Sequence, residues 1–225
     1  MRLKILAQGK LYVVIHKPSG LVTYADSKEQ ESISAKAIFE AQTKRKVFPV
    51  HRIDKDTCGV LTFGFSAAGA QMLTALFRSR TVKKQYLALV HGEAPVKGLI
   101  NEPLEKNKSK VKEAAETEFT RLFTTTVEWE GEMRAYSLVR CEPRTGRYHQ
   151  IRRHLRFIGC PIVGDPQYGN KWDNRAFLER FKISRTLLCA STLAFPDREN
   201  QKMVRVSTKP DQDFLRAVAG LGWKF

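Results

Sequence analysis

The sequence lacks the long apolar runs with which helices cross a bilayer. Its longest runs, such as 12–15 (YVVI) and 86–90 (YLALV), fall far short of the roughly 20 residues that a membrane helix needs. The N-terminus, MRLKIL, has no apolar stretch followed by a small-residue cleavage site, so it does not resemble a secretory signal. We therefore expect a cytoplasmic protein with no membrane partner.

Cysteine is also scarce, and none of it is arranged for metal binding. The four residues are Cys58, Cys141, Cys160 and Cys189. They form no CxxC pair and no spacing typical of zinc, and this usage favours a reducing compartment. Cys58, within Asp-Thr-Cys-Gly, could be a nucleophile, but we favour a small buried residue.

Negative charge is the third shortage. Asp and Glu total 23 against 39 Lys and Arg, which gives a net charge of +16 and a pI near 9.9. Such a balance indicates a polyanionic partner, because neutralised phosphates release counterions. Charge alone leaves RNA, DNA and an anionic membrane open, and a role in solubility is the simpler alternative.

Apolar periodicity predicts an α+β fold. Strands are predicted at 11–15, 60–65, 84–91, 118–126, 133–141, 187–195 and 203–206, and helices at 32–44, 66–78, 147–158 and 211–219. The first helix is predicted to bury a face formed by Ile33, Ala37, Ile38 and Ala41. Residues 105–116 are polar and charged, which is typical of an exposed loop or flexible insertion. Consecutive strands with few helices between them favour a mixed, largely antiparallel sheet with flanking helices.

Local signals also predict where several elements begin and end. Ser66 is predicted to cap the second helix, in which Leu73 and Leu76 face inward, and Gly159 is predicted to end the third helix. A turn at 130–131 (EG) is predicted between the strands at 118–126 and 133–141.

Three polar segments lie where turns meet strands or helices. The first, 50–60 (VHRIDKDTCGV), places Asp54 and Asp56 just before an apolar strand, although local turn capping would also explain them. The second, 83–86 (KKQY), is a basic start to an apolar strand. The third, 144–156, combines an apolar helical stripe with several arginines, and a solvated basic helix is its simpler interpretation.

Together these segments resemble the RluA-type pseudouridine synthase family. Residues 51–59 (HRIDKDTCG) are similar to the family's catalytic loop His-Arg-Leu-Asp-x-x-Thr-Ser-Gly. Residues 84–86 (KQY) match its Lys-x-Tyr strand, and 145–154 (TGRYHQIRRH) match Thr-Gly-Arg-x-His-Gln-Ile-Arg-x-His. The strings 17–20 (KPSG), 159–162 (GCPI) and 164–169 (GDPQYG) also occur in family order, so the match spans roughly residues 10–207. Cys58 stands where the family has Ser, and Cys160 and Cys189 stand where His is common.

The resemblance implies a fold, a reaction and three catalytic residues. We expect the pseudouridine synthase fold with its catalytic cleft, as a single catalytic domain over residues 1–225 without the S4 domain that many relatives carry in front. Asp54 would be the catalytic aspartate, Tyr86 would pack against the uracil, and Arg152 would pair with Asp54 and keep it ionised. Isomerising uridine is redox-neutral and imports no group, so neither cofactor nor metal is expected. Attack at the ribose C1′, attack at the base C6 and proton abstraction from the ribose all remain open.

The implied partner is RNA, either rRNA or tRNA, bound by a monomer. A uridine inside folded RNA must be flipped out at a cost of a few kcal/mol, and phosphate contacts would offset part of that cost. The residues expected to contact RNA are Arg52, Lys84, Arg147, His149, Gln150, Arg153 and Arg156.

Two other functions fit parts of the sequence. A catalytically inactive RNA-binding module or chaperone on the same fold is disfavoured by the intact set Asp54, Tyr86 and Arg152. A metal-dependent nuclease could use Asp54 and Asp56 as cation ligands, but the family motif explains Asp54 without a metal.

Overall fold

The computed structural model describes residues 1–25, 33–106, 109–197 and 202–224. It divides the chain into two compact units, the first comprising Met1–Lys84 and Ala190–Asp211 and the second Gln85–Cys189 and Gln212–Phe225. We call them unit 1 and unit 2. The prediction of a single catalytic domain is not tested by this division and stays a prediction.

The described residues form short and long strands with five helices among them. In chain order the strands are β1 (Lys4–Gln8), β2 (Tyr12–Lys17), β3 (Phe48–Pro49), β4 (Cys58–Gly64), β5 (Lys83–His91), β6 (Lys97–Ile100), β7 (Leu104–Glu105), β8 (Lys112–Glu113), β9 (Thr117–Trp129), β10 (Glu132–Pro143), β11 (Leu188–Pro196) and β12 (Met203–Ser207). The helices are α1 (Ala35–Thr43), α2 (Ala67–Arg78), α3 (Gln150–Phe157), α4 (Lys171–Phe181) and α5 (Gln212–Gly220). These elements confirm the α+β prediction. Among the described helices, none is long and apolar enough to cross a membrane.

Unit 1 is built on β2 and β4, which pair antiparallel. β1 extends this sheet beside β2, β3 pairs with β4, and β12 pairs with β11. One core cluster includes Tyr12, Leu73 and Phe195, and another includes Phe39 and Phe63. As predicted, Ser66 caps α2 by accepting a hydrogen bond from Gly69 N.

Unit 2 is built on the long antiparallel hairpin of β9 and β10. β5 pairs with β10 and β6 with β9, so the strand order is β5-β10-β9-β6. The predicted turn at Glu130 and Gly131 is present, and both residues have positive φ, 55° and 78°. The core of this unit includes Val139, Leu155 and Ile162. Gly159, with φ 76°, follows the end of α3 as predicted.

The structure corrects the predicted start and buried face of the first helix. α1 begins at Ala35 after the cap Ser34, and Ser32 lies outside the described residues. Ile33 is 63% exposed, and the fully buried side chains are Ala35 and Phe39. Ile38, from the predicted face, packs partly buried against the core cluster of Phe39, whereas Ala41 is exposed, so the predicted face was wrong in part.

Three further predictions need correction in unit 2. Part of 105–116, predicted as an irregular loop, forms the short ribbon of β7 and β8, with Ala115 buried; residues 107–108 lie outside the described residues. α3 begins at Gln150 rather than Arg147. α4 was not predicted at all, since its sequence is polar and buries only Asp173 and Phe177.

Candidate functional site

The loop that carries Asp54 is fixed by backbone hydrogen bonds on both sides of it. Thr57 N donates to the Asp54 carbonyl at 3.1 Å. Thr23 Oγ1 donates to Ile53 O at 3.2 Å and accepts from Ile53 N at 3.3 Å. Ile53 and Thr57 are buried, whereas Asp54 is half-buried. The loop therefore anchors its apolar and hydroxyl side chains and leaves the carboxylate at the edge of the core of unit 1.

A buried lysine, whose role the sequence did not reveal, supports the same loop. Lys17 is fully buried, and its Nζ donates to the carbonyls of Pro18 at 3.0 Å, Leu21 at 2.6 Å and Lys55 at 2.9 Å. These three bonds use all the donors of an ammonium group. Burial lowers the pKa of Lys17 to about 8. The nearby groups that oppose this lowering are Cys58, Asp211, Asp56 and Asp54.

A second polar group holds the turn after β2. His16 Nε2 and Asp211 Oδ1 lie 2.8 Å apart, and His16 Nδ1 lies 2.9 Å from Thr208 Oγ1. Ser19 N donates to Asp211 Oδ2 at 3.0 Å. Burial acts to raise the pKa of Asp211, but the hydrogen bonds from His16 and Ser19 hold it at about 2. The turn that contains Lys17 is thus fixed at both ends.

The other motif residues of unit 1 divide into partly buried and exposed. His51 Nε2 accepts from Thr62 N at 3.1 Å, its ring stacks on Phe77, and burial lowers its pKa to about 3. Burial also lowers the pKa of Lys84 to about 8. Arg52 is exposed, with its guanidinium carbon 5.5 Å from the centre of the Tyr24 ring. His51 therefore has a structural role, whereas the contact of Arg52 with RNA stays a prediction.

Glycine is required at position 59, where the loop that carries Asp54 enters β4. Gly59 has φ 117°, and a Cβ there would collide with the backbone of Ala190. Cys58 beside it is fully buried, which fits the structural interpretation of that cysteine.

In unit 2, Arg152 is held by the carboxylate of Asp165, a residue of the 164–169 motif. Arg152 Nε and Nη2 donate to Asp165 Oδ2 and Oδ1 at 2.7 and 2.9 Å. Asp165 is 1% exposed, and its Oδ1 also accepts from the backbone N of Gln167 and Tyr168 at 3.0 Å. Burial acts to raise the pKa of Asp165, but Arg152 and these amides lower it. This bidentate pair sets the plane of the guanidinium.

Tyr86 lies in the second unit's part of β5, paired with Cys141 of β10. It is half-buried and packs against the core cluster of that unit. The structure thus places Asp54 in unit 1 and both Tyr86 and Arg152 in unit 2.

The residues predicted to contact RNA differ in their surroundings. Arg147 donates to Ala114 O at 3.1 Å and pairs with Glu113 at 3.1 Å, and Arg153 donates to Glu105 O at 2.9 Å. Both therefore support the segment around β7 and β8. Arg156, in contrast, is exposed on α3.

Gln150 is committed to the interior of unit 2. Its Oε1 accepts from Thr145 Oγ1 and Arg147 N, and its Nε2 donates to Glu116 O and Thr117 Oγ1. These four bonds fill the hydrogen-bonding capacity of an amide side chain, so its direct contact with RNA stays an unsupported prediction.

Within the described ranges, no group of three or more His, Cys, Asp or Glu side chains is arranged to hold a metal ion. Asp54 and Asp56 therefore belong to no such group among the residues that the structure describes.

Known proteins resemble this chain in sequence and in fold. A family model described as RNA pseudouridylate synthase matches residues 11–157. The tRNA pseudouridine synthase C of Haemophilus ducreyi is 31% identical over 100% of this chain and 98% of its own length, and that of Pasteurella multocida is 31% identical over 99% and 98%. The solved structure of human RNA pseudouridylate synthase domain containing 4 superposes with a TM-score of 0.78 at 24% identity, covering 99% of this chain and 94% of that one. The chain therefore belongs to the RluA-type family of RNA pseudouridine synthases, which isomerise uridine in RNA to pseudouridine.

Proposed function

We propose that this chain modifies uridine in tRNA and that Asp54 is its catalytic carboxylate. The observation that carries the assignment is the fixed loop of unit 1, in which Thr23, Thr57 and Lys17 hold the backbone around a half-buried carboxylate. The names of the similar bacterial relatives support tRNA as the substrate.

The reaction requires one bond to break and one to form, with no net change in oxidation state. The ribose C1′–N1 bond breaks, the uracil turns, and a C1′–C5 bond forms; the proton on C5 is then lost and N1 gains a proton. We propose that ionised Asp54 acts in one of two ways. It either forms a covalent adduct at C1′ of the ribose or at C6 of the uracil, whose bond to Asp54 breaks again before product is released, or it removes a proton from the ribose and returns it when the C1′–C5 bond forms. Each route needs the carboxylate in its charged form.

Tyr86 and Arg152 are proposed to serve the same uridine from unit 2. The ring of Tyr86 would supply a stacking face for the uracil and its hydroxyl a site for proton transfer. Arg152 would orient and stabilise the Asp54 carboxylate. The Arg152–Asp165 pair supports this role. Because the pair fixes the plane of the guanidinium, the N–H groups that Asp165 does not bind point in a fixed direction.

The decisive test is Asp54→Asn, which keeps the shape of the side chain and removes its charge. We expect pseudouridine formation to fall at least about 1000-fold, while folding and RNA affinity stay nearly unchanged. Asp56→Asn is the matched control in the same loop and should keep most of the activity. Substantial turnover by a clean Asp54→Asn preparation would remove Asp54 from the catalytic role.

The RNA class has a separate test. Pseudouridine mapping of total RNA from a deletion strain and from the complemented strain should reveal a site lost only from tRNA. A loss confined to rRNA would overturn the tRNA assignment and leave the isomerase activity in place.

We further propose that the enzyme works as a cytoplasmic monomer without cofactor or metal. The absence of a cofactor or metal is supported by the reaction itself, which is redox-neutral and imports no group. Activity should survive exhaustive chelation once the RNA is folded in monovalent salt, and a specific divalent ion that alone restored activity would contradict this. Sedimentation at working concentration checks the monomer.

A further inference from the structure

An exposed aromatic ring stands at the start of α3. Tyr148 is 45% exposed, and its ring stacks on that of His149 with centroids 3.6 Å apart and planes 24° from parallel. His149 has left-handed backbone geometry, φ 51° and ψ 29°, and its side chain does not cap the helix. Because this conformation is uncommon for residues other than glycine, the surrounding structure must hold it in place.

The support for His149 comes from Tyr168. The two rings meet edge to face with centroids 5.7 Å apart, and His149 Nδ1 lies 3.3 Å from Tyr168 Oη. The guanidinium carbon of Arg152 lies 5.0 Å from the centre of the Tyr168 ring. The backbone N of Tyr168 donates to Asp165, the same carboxylate that binds Arg152. A continuous series of contacts within unit 2 therefore runs from the Arg152–Asp165 pair outward to Tyr148.

We propose that the exposed face of Tyr148 binds a base of the substrate RNA by stacking, beside the nucleotide that carries the target uridine. This inference rests on the proposed role of Arg152, since the series of rings places Tyr148 near that residue. Tyr148 leaves almost half its surface in solvent, whereas its stacking partner His149 contacts Tyr168. Such a ring resembles the stacking platforms that bind single-stranded RNA irrespective of base identity.

The arrangement favours a base over a phosphate as the occupant. A phosphate would need the local cations, but Arg147 and Arg153 on either side in sequence are already bonded to Glu113, Ala114 and Glu105. A ring that is ordered before binding also loses little conformational entropy when a base stacks on it. The net charge of +16 would then attract the RNA at long range while Tyr148 fixes one base.

The test is made in Asp54→Asn, so that RNA binds without being converted. Three further substitutions ask whether binding needs the aromatic ring of Tyr148, its hydroxyl, or any exposed aromatic residue on α3. Tyr148→Leu should weaken tRNA binding about tenfold, since base–aromatic stacking contributes on that scale. Tyr148→Phe keeps the ring and should bind like the parent. Phe157→Leu is the positional control, because Phe157 is 63% exposed at the other end of α3, and it should also bind like the parent.

A second readout does not depend on the substitutions folding equally well. A synthetic substrate with 2-aminopurine beside the target uridine should lose fluorescence on binding the parent protein, and this quenching should persist in Tyr148→Phe and disappear in Tyr148→Leu. Three outcomes would overturn the proposal that Tyr148 stacks on a base. These are unchanged affinity in a folded Tyr148→Leu, a loss of affinity in Tyr148→Phe or Phe157→Leu equal to that in Tyr148→Leu, and no quenching by the protein that keeps Tyr148. None of these outcomes touches the activity test of Asp54→Asn, so the two proposals fail separately.

Discussion

The two units position their proposed catalytic groups by different means. In unit 1, the loop of Asp54 is closed around the buried ammonium of Lys17, which binds three backbone carbonyls. In unit 2, the guanidinium of Arg152 is held by two side-chain hydrogen bonds to the carboxylate of Asp165. The first arrangement fixes the path of the main chain, whereas the second fixes the direction of one guanidinium.

Because of this difference, the two charged groups should affect different properties of the protein, its stability and the geometry of its proposed catalytic residues. Loss of the Lys17 charge leaves carbonyls from separate turns without their shared donor, so the loop and the core beside it suffer together. Loss of the Asp165 charge leaves the backbone nearly in place but releases the guanidinium. We therefore expect loss of the Lys17 charge to act mainly on folding and loss of the Asp165 charge to act mainly on turnover.

The largest expected effect is that of Lys17→Met. The free energy of unfolding should fall by about 4 kcal/mol, the scale for removing one partner of a buried charged network. Lys10→Met, at an exposed position between β1 and β2, is the matched control and should change little. Urea unfolding followed by circular dichroism measures both; tryptophan fluorescence would report only unit 2, because Trp129, Trp172 and Trp223 all lie there. Parent-like stability of Lys17→Met would remove the ammonium from its structural role.

Acid should lower the stability of unit 1, because protonation of His51 is less favourable in the folded state than in the unfolded one. Its folded-state pKa of about 3 lies below the value of 6.5 expected when unfolded, so the stability it contributes is fully present above about pH 6.5 and is lost as the pH falls toward 3. Between about pH 7 and pH 5 the free energy of unfolding should therefore fall by roughly 2 kcal/mol through His51. His51→Gln keeps an acceptor for Thr62 N and should flatten that part of the profile. Burial also lowers the pKa of His91 and His154 in unit 2, so some acid sensitivity should remain, and an unchanged slope in His51→Gln would contradict the assignment.

Asp165→Asn is expected to act on turnover. Release of the guanidinium should lower kcat about 30-fold, since small misplacements at a reacting centre have effects of this order, with KM for RNA little changed. Asp173→Asn is the control, because Asp173 forms another buried pair in unit 2, with Arg134 at 2.6 Å and His91 at 3.1 Å. It should lower stability and leave kcat of the folded enzyme unchanged. Equal losses of kcat in both variants would show that Asp165 acts through general stability alone.

Local sequence features predicted the elements that depend on neighbouring residues. α2 was predicted because Ser66 supplies a cap and Leu73 and Leu76 repeat at helical spacing. The family motifs predicted the order of the site residues, but they did not reveal what holds them. Lys17 contacts Lys55, and Arg152 contacts Asp165, across turns whose path the sequence does not specify.

α4 shows the same limit for the fold. Its sequence, KWDNRAFLERF, is mostly polar, and the local indications of a helix start are the cap Asn170 and the acidic Asp173 in the first turn. The helix is stabilised instead by Phe177 among aromatic rings and by Asp173 bonded to Arg134. Those partners come from β9 and β10, about 40 residues earlier in the chain, so periodicity alone could not have found them.

The smallest expected effect concerns the arginines of unit 2, and it separates the exposed ones from those already bonded. The net charge of +16 predicts RNA binding that weakens steeply with salt. Arg156 is exposed, so Arg156→Gln should lower the slope of log Kd against log salt by about one unit if it neutralises one phosphate. Arg147 already bonds Glu113 and Ala114, so Arg147→Gln should change the slope less while loosening the ribbon of β7 and β8. Titrations at several monovalent salt concentrations measure both slopes. If the two variants lowered the slope equally, the bonded arginine would contact phosphate as readily as the exposed one, and a parent slope near zero would defeat the electrostatic account of binding altogether.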